Sequence, residues 1–162
     1  MILKDTLLMG YGNPDRGDDG AAFHILRALV RKYTNQDEDL FSSDITQLTQ
    51  NTHIFYSLQL LPEYADMIAG YRVVVFIDAH TGEIEEDLRL VKVFADFKYS
   101  PFTHHFSPES SLALANSLTS RHPEGWLLSI RGYEFGFNRA LSAKTNDLVS
   151  RAVHILDEQF IR

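Results

Sequence analysis

The sequence predicts an α/β protein with a mostly parallel, twisted sheet of about five strands and helices on both faces. Arg72–Asp78 (RVVVFID) is a continuous apolar, β-branched run, which is typical of a parallel strand buried on both faces. Between Ala22 and Tyr33 the apolar residues recur with the spacing of one helix face. Strands and helices then alternate along the chain, and this order favours a parallel sheet with right-handed crossovers. Because the 162 residues contain no repeat and no linker-like segment, we expect residues 1–162 to form a single domain.

The remaining elements follow from apolar patterns and from helix-start signals. Ile2–Met9 predicts a buried first strand, and Leu88–Phe94 alternates in the manner of a half-exposed, antiparallel edge strand. Ser107-Pro108-Glu109 predicts a helix start, with Ser as the N-cap and Pro in the first turn. The other predicted elements are a polar loop at Thr34–Asp44, a strand at His53–Ser57, a helix at Leu61–Ala69, a strand at Trp126–Ile130 and a C-terminal helix at Leu148–Leu156.

Composition and charge exclude several classes of function. The chain has 15 basic and 22 acidic residues, and the resulting net charge of −7 disfavours nucleic acids and anionic membranes as partners. It has no cysteine, which excludes disulfides, thiolate nucleophiles and cysteine-ligated zinc. No apolar run approaches about 18 residues, and the N-terminal apolar run is interrupted too early for a signal peptide. We therefore expect a soluble, cytoplasmic protein.

The most informative segment is Met9–Ala22 (MGYGNPDRGDDGAA), at the join between the first strand and the first helix. A dinucleotide-binding loop would need glycine where Asp15 stands, and a phosphate-binding loop would need Gly-Lys-Ser/Thr before the helix. Adjacent carboxylates at a helix N-terminus also repel phosphate, so nucleotide binding is disfavoured. Asp18 and Asp19 suggest a different use: one is predicted to cap the helix and the other to project into a cleft.

A second acid and a pair of histidines are predicted to lie near the same edge of the sheet. Asp78 ends its strand at the carboxyl edge, where α/β proteins usually bind ligands, although a turn residue would also fit there. His104 and His105 lie in the loop before the Ser107 helix. Two carboxylates and one imidazole would form a three-ligand site with open positions for Ni²⁺, Zn²⁺ or a similar ion. The common hydrolase motifs, His-Glu-x-x-His and Gly-x-Ser-x-Gly, are absent from the sequence.

Together these motifs resemble the hydrogenase maturation endopeptidases, which trim the C-terminus of the large subunit of nickel–iron hydrogenases. The segment GYGNPDRGDDG is similar to the family's opening Gly-x-Gly-Asn-x4-Asp-Asp/Glu-Gly motif. The resemblance continues in order through three further segments: QLLPEYADMIAGYRVVVFIDA at Gln59–Ala79, THHFSPESSLALANSL before and within the Ser107 helix, and IRGYEFGFNRALS at Ile130–Ser142.

The resemblance implies an endopeptidase that acts on the large-subunit precursor only after nickel has been inserted. Carried over position by position, the family's metal-contacting acid falls on Asp19, its second acid on Asp78 and its histidine on His104, with His105 as the alternative. The metal would be nickel supplied by the precursor, or zinc or another divalent ion. Two other functions stay open: a non-catalytic metal- or partner-binding accessory module of the same fold, and a small flavodoxin-like ligand-binding domain whose acids only cap a helix.

Overall fold

The fold is a six-stranded sheet with helices on both faces, seen in a computed structural model that describes residues 4–37, 40, 44–97 and 106–162. A short 3-10 turn, Gly17–Gly20, precedes the first helix, and another, Pro62–Tyr64, precedes the second. A π-helical turn, Asp157–Ile161, follows the last helix. The elements in chain order are β1 (Lys4–Tyr11), α1 (Ala21–Thr34), β2 (Thr46–Gln47), β3 (Thr52–Ser57), α2 (Ala65–Ala69), β4 (Tyr71–His80), β5 (Leu88–Val93), α3 (Pro108–Leu118), β6 (Glu124–Arg131) and α4 (Ala143–Leu156).

The strand order β2-β3-β1-β4-β6-β5 confirms the predicted mostly parallel sheet. The pairs β3–β1, β1–β4 and β4–β6 are parallel, and β5 pairs antiparallel with β6 at one edge, as its alternating sequence predicts. The sixth strand, β2, is antiparallel to β3 at the other edge. With only two residues, β2 is too short to leave a periodic pattern, which is why the predicted number of strands was one too low.

Alternation along the parallel strands separates the core into two layers. Leu8 belongs to the cluster that packs against α1 and α4, whereas Leu7 and Met9 belong to the cluster beneath α2 and α3. The same alternation holds in β4, where Val75 packs on the α1/α4 side, while the residues on either side of it pack on the α2/α3 side. None of the helices that the structure describes has the length and apolar character that a bilayer-spanning segment needs.

A buried carboxylate joins the C-terminal end of α4 to α1. Asp157 has no exposed surface, and it accepts hydrogen bonds from Lys32 Nζ, at 2.7 Å, and from the Tyr33 hydroxyl. The Arg162 guanidinium also donates to it. Although burial alone would raise the pKa of Asp157, the hydrogen bonds from Lys32, Tyr33 and Arg162 hold it well below its usual range. This carboxylate is therefore charged and paired, as burial of a charge requires.

We expect Asp157→Asn to lower the free energy of unfolding by about 2 kcal/mol at pH 7, because the partners lose a charged acceptor. A carboxyl whose pKa is lowered by folding contributes stability above its unfolded pKa of about 3.9 and loses that stability as the pH falls. The difference between wild type and variant should therefore shrink below about pH 4, as measured by urea unfolding from pH 7 to pH 2. Asp44→Asn, at an exposed position, is the matched control. An equal difference at pH 7 and at pH 3 would contradict the prediction.

Candidate active site

The carboxyl ends of β1 and β4 bring Tyr11 and Asp78 together. The two strands are parallel with Gly10 beside Ile77, so the next residues along, Tyr11 and Asp78, are neighbours at the edge of the sheet. Side chains two residues apart on a strand lie on the same face of the sheet. Met9 and Phe76 pack in the layer beneath α2 and α3, so Tyr11 and Asp78 are on that face as well. The Tyr11 hydroxyl and the Asp78 carboxylate are joined by a hydrogen bond.

Asp19 reaches this edge through the loop that connects β1 to the 3-10 turn. Asp19 Oδ2 accepts a hydrogen bond of 2.7 Å from the Asn13 backbone N–H, which closes the loop on itself. Gly12 has a φ of +138°, and a Cβ added there would lie 2.1 Å from the Asp19 carbonyl oxygen, so only glycine fits. The Tyr56 hydroxyl donates to the Gly12 carbonyl oxygen from the neighbouring strand. The position of Asp19 is thus fixed by backbone contacts close to it.

Asp18 has a structural role that differs from the predicted one. Its side chain is fully buried and accepts hydrogen bonds from the backbone N–H groups of Tyr133, Glu134 and Ser142 at 2.7 to 3.0 Å. It also accepts from the hydroxyls of Ser142 and Thr145 at 2.7 and 2.8 Å. These contacts lower the pKa of Asp18, although burial opposes them. The prediction that one aspartate caps the first helix is wrong: neither the 3-10 turn nor α1 has a side-chain cap, because Asp18 is used by a distant segment.

Asp19 and Asp78 line one open cavity of about 550 Å³ at the carboxyl edge of the sheet. The predicted third ligand, His104, and its alternative, His105, lie outside the described residues, so their participation stays a prediction. The described part of the cavity wall continues as far as the residues just after them, at the start of α3. The lining consists of Tyr11, Gly12, Asp19, Leu58, Gln59, Leu60, Asp78, Ala79, Phe106, Ser107 and Pro108.

The environment of the cavity changes the pKa of Asp78. Burial, and after it the nearby charge of Asp19, raise the pKa of Asp78 to about 7, although the hydrogen bond from Tyr11 acts in the opposite direction. Burial and the charge of Asp78 raise the pKa of the Tyr11 phenol well above its usual value, so this hydroxyl stays protonated and donates. A carboxyl with a pKa near neutrality can accept and release a proton at physiological pH, as a general base must.

The same pair of side chains fits a divalent cation. Hard carboxylate oxygens suit such ions, and among the described residues that line the cavity none carries a positive charge. Asp19 Oδ1 accepts no hydrogen bond from any residue that the structure describes, so this oxygen is available as a ligand. Within residues 4–37, 40, 44–97 and 106–162, no group of three histidine, cysteine, aspartate or glutamate side chains could hold a metal. A complete site therefore needs ligands from outside the described residues.

Sequence reasoning missed Tyr11 and the cavity wall at Leu58–Leu60. A signal for Tyr11 was present, because Leu7, Met9 and Tyr11 alternate along β1 as Val74, Phe76 and Asp78 do along β4. Because β1 and β4 are parallel and in register at Gly10 and Ile77, the next side chains, Tyr11 and Asp78, lie side by side, although β4 continues two residues further to His80. The wall at Leu58–Leu60 follows β3 in an irregular segment, where no periodicity indicates which side chain faces a cavity.

Fold and site together define an α/β protein with a carboxylate-lined cleft at the carboxyl edge of its sheet. This fold is that of the hydrogenase maturation proteases. HycI, a nickel–iron hydrogenase maturation protease from Thermococcus kodakarensis KOD1, has a TM-score of 0.68 and 18% identity over 96% of this chain and 92% of its own. HybD, a hydrogenase maturating endopeptidase from E. coli, has a TM-score of 0.64 and 16% identity, covering 96% of this chain and 94% of that one.

An endopeptidase from Escherichia coli, solved in solution, is also similar. Its TM-score is 0.68 at 16% identity, and the match covers 98% of this chain and 95% of the other. The chain matches no protein-family model and no curated protein. At these low identities the solved structures show that the fold is shared along almost the whole length, without showing that the activity is.

Proposed function

We propose that this chain is an endopeptidase that removes the C-terminal extension of a nickel-loaded large-subunit precursor of a nickel–iron hydrogenase. The observation that carries the proposal is that Asp19 and Asp78, the two acids that resemble those of the maturation endopeptidases, line one cavity at the carboxyl edge of the sheet. The fold supports it, since three solved structures of that shape are named as proteases or endopeptidases. We expect the reaction in the cytoplasm, with no nucleic-acid or membrane partner, in keeping with a net charge of −7.

In this proposal nickel belongs to the substrate. Asp19, Asp78 and His104, or His105 in its place, would bind the ion that the precursor carries, and zinc or another divalent ion is the alternative. An ion in a loaded precursor would neutralise the repulsion between the carboxylates and polarise a nearby carbonyl group. An empty precursor brings no positive charge to the cavity, which gives a physical reason for selecting the loaded form.

The chain's own residues supply the proton transfers of peptide hydrolysis. Asp78 would accept a proton from the attacking water while the water oxygen forms a bond to the scissile carbonyl carbon. It would then pass the proton to the leaving nitrogen when the carbon–nitrogen bond breaks. Tyr11 would donate to Asp78 throughout and keep one of its oxygens in place. This sequence of steps leaves one new carboxyl terminus and one free amine.

The test is the intact mass of a nickel-loaded large-subunit precursor before and after incubation with the protein. We expect a loss equal to the C-terminal extension, and no loss from the nickel-free precursor. If the loaded precursor keeps its mass but co-elutes with the protein in size-exclusion chromatography, the accessory-module alternative replaces the proposal. An unchanged mass with no complex, across several precursors, would contradict both functions.

A further inference from the structure

A second cavity adjoins the acid-lined one at the end of β3. It has a volume of about 330 Å³, and Leu58 and Gln59 line both cavities, so these two residues form the wall between them. A volume at the lower end of the range for ligand sites suits one side chain better than a whole cofactor. Its lining consists of Phe55, Tyr56, Ser57, Leu58, Gln59, Leu61 and Tyr64.

Among the residues that the structure describes, none of those lining the second cavity is charged. The polar groups at its base are used within the wall: Ser57 Oγ shares a hydrogen bond of 3.0 Å with the Tyr64 hydroxyl and donates to the Gln59 carbonyl oxygen at 2.6 Å. The rings of Phe55 and Tyr64 meet edge to face with their centroids 5.0 Å apart, which fixes the shape of the cavity. What remains for an occupant is mainly apolar surface.

The wall itself is an exposed apolar residue. Leu58 has 60% of its surface exposed, although it stands between two concave surfaces where a bound chain would cover it. Burial of an exposed leucine against an apolar partner is favourable. A bound chain could cover Leu58 from either cavity. The described lining also differs in charge across this wall: the first cavity has the carboxylates of Asp19 and Asp78, and the described residues of the second cavity have none.

We propose that the second cavity is a specificity subsite that receives one uncharged, apolar side chain of the substrate polypeptide. This inference rests on the proposed function, because the polypeptide is the one whose scissile bond lies in the acid-lined cavity. An extended chain advances about 3.3 to 3.6 Å per residue, so neighbouring cavities accept side chains only a few positions apart. The subsite thus selects for sequence beside the cleaved bond, while the acids select for the loaded metal.

The first test uses Leu61→Glu, because Leu61 lines only the second cavity. Leu118→Glu is the matched control, since it introduces the same charge at a leucine on α3 that is 56% exposed and lines neither cavity. With nickel-loaded precursor we expect the KM of Leu61→Glu to rise about tenfold while kcat changes less than about twofold, the pattern seen when ground state and transition state lose the same binding energy. Equal KM values for the two variants would overturn the proposal.

A charge exchange identifies the occupant. Apolar residues within about six positions of the scissile bond, a reach of about 20 Å, are replaced one at a time by glutamate in the precursor. We expect one of these precursors to be cleaved poorly by the wild type and to be rescued by Leu61→Lys, but not by Leu118→Lys. Absence of rescue at every position would contradict the subsite.

A binding measurement tests the subsite even if the proposed cleavage activity is absent. If the wild type cuts no precursor, the dissociation constant of the loaded precursor is measured by calorimetry for the same variants. An affinity about tenfold weaker for Leu61→Glu than for Leu118→Glu would support the subsite in a binding module. Equal affinities would overturn it whatever the outcome of the cleavage assay.

Discussion

Replacing Asp19 by asparagine is expected to abolish cleavage of the nickel-loaded precursor while the fold remains intact. The amide oxygen can still accept the hydrogen bond from the Asn13 N–H, so the loop keeps its shape, but the negative charge in the cavity is lost. We expect kcat/KM to fall at least about a hundredfold, the range typical of a lost acid–base or charge-stabilising group. Intact-mass spectrometry of the precursor over time measures the effect.

Asp44→Asn is the control for this variant, because it removes the same charge at an exposed position. The free energy of unfolding of each variant should lie within about 1 kcal/mol of the wild-type value, as measured by urea unfolding. Cleavage by Asp19→Asn at the wild-type rate would remove Asp19 from the site, and the proposed metal recognition with it.

Replacing the neighbouring Asp18 by alanine is expected to lower the free energy of unfolding by about 3 to 5 kcal/mol. The substitution leaves three backbone N–H groups, at Tyr133, Glu134 and Ser142, without their acceptor. It also removes one acceptor of the hydroxyls of Ser142 and Thr145, each of which has a second acceptor at 3.1 or 3.0 Å. Because Asp18 is fully buried, water cannot replace these bonds without opening the structure. Urea unfolding followed by circular dichroism measures the loss.

Asp18→Asn keeps the prediction testable if the alanine variant does not fold. The amide retains one acceptor oxygen but points a donor at groups that are themselves donors, so a smaller loss is expected. Asp19→Asn is the matched comparison: the same substitution one residue along should cost less than about 1 kcal/mol. Similar losses at the two positions would show that the assignment of Asp18 to structure and Asp19 to the site is wrong.

These adjacent aspartates show what sequence patterns can and cannot predict here. Periodicity predicted the type and order of the helices and longer strands, because a repeated burial pattern leaves a repeated sequence pattern. Asp78 at the end of RVVVFID could be assigned to the carboxyl edge of the sheet in the same way. Which of Asp18 and Asp19 lines the cavity could not be derived from local pattern, since the partners of Asp18 are 115 to 127 residues away.

The second cavity could not be predicted from sequence patterns either. Its walls come from the end of β3, an irregular segment and the following 3-10 turn, none of which repeats long enough to show a buried face. The Ser57–Tyr64 hydrogen bond in its wall joins the last residue of β3 to the last residue of the 3-10 turn, seven positions apart. Cavities of this kind depend on how loops pack, and that packing is determined by the whole fold.

The large sequence separation between Asp18 and its hydrogen-bond partners also determines when these bonds can form during synthesis. The loop that carries Asp19 is synthesised well before the groups that bind the neighbouring Asp18. The last of these groups is Thr145, 127 positions after Asp18. At about 5 to 20 residues per second, a nascent chain spends several seconds or more before that anchor can form. Since pairing distant segments is slow, the anchor of Asp18 is absent from a nascent chain that has not yet reached Thr145. The local hydrogen bond between Asn13 and Asp19 can therefore form well before the long-range anchor of the neighbouring Asp18.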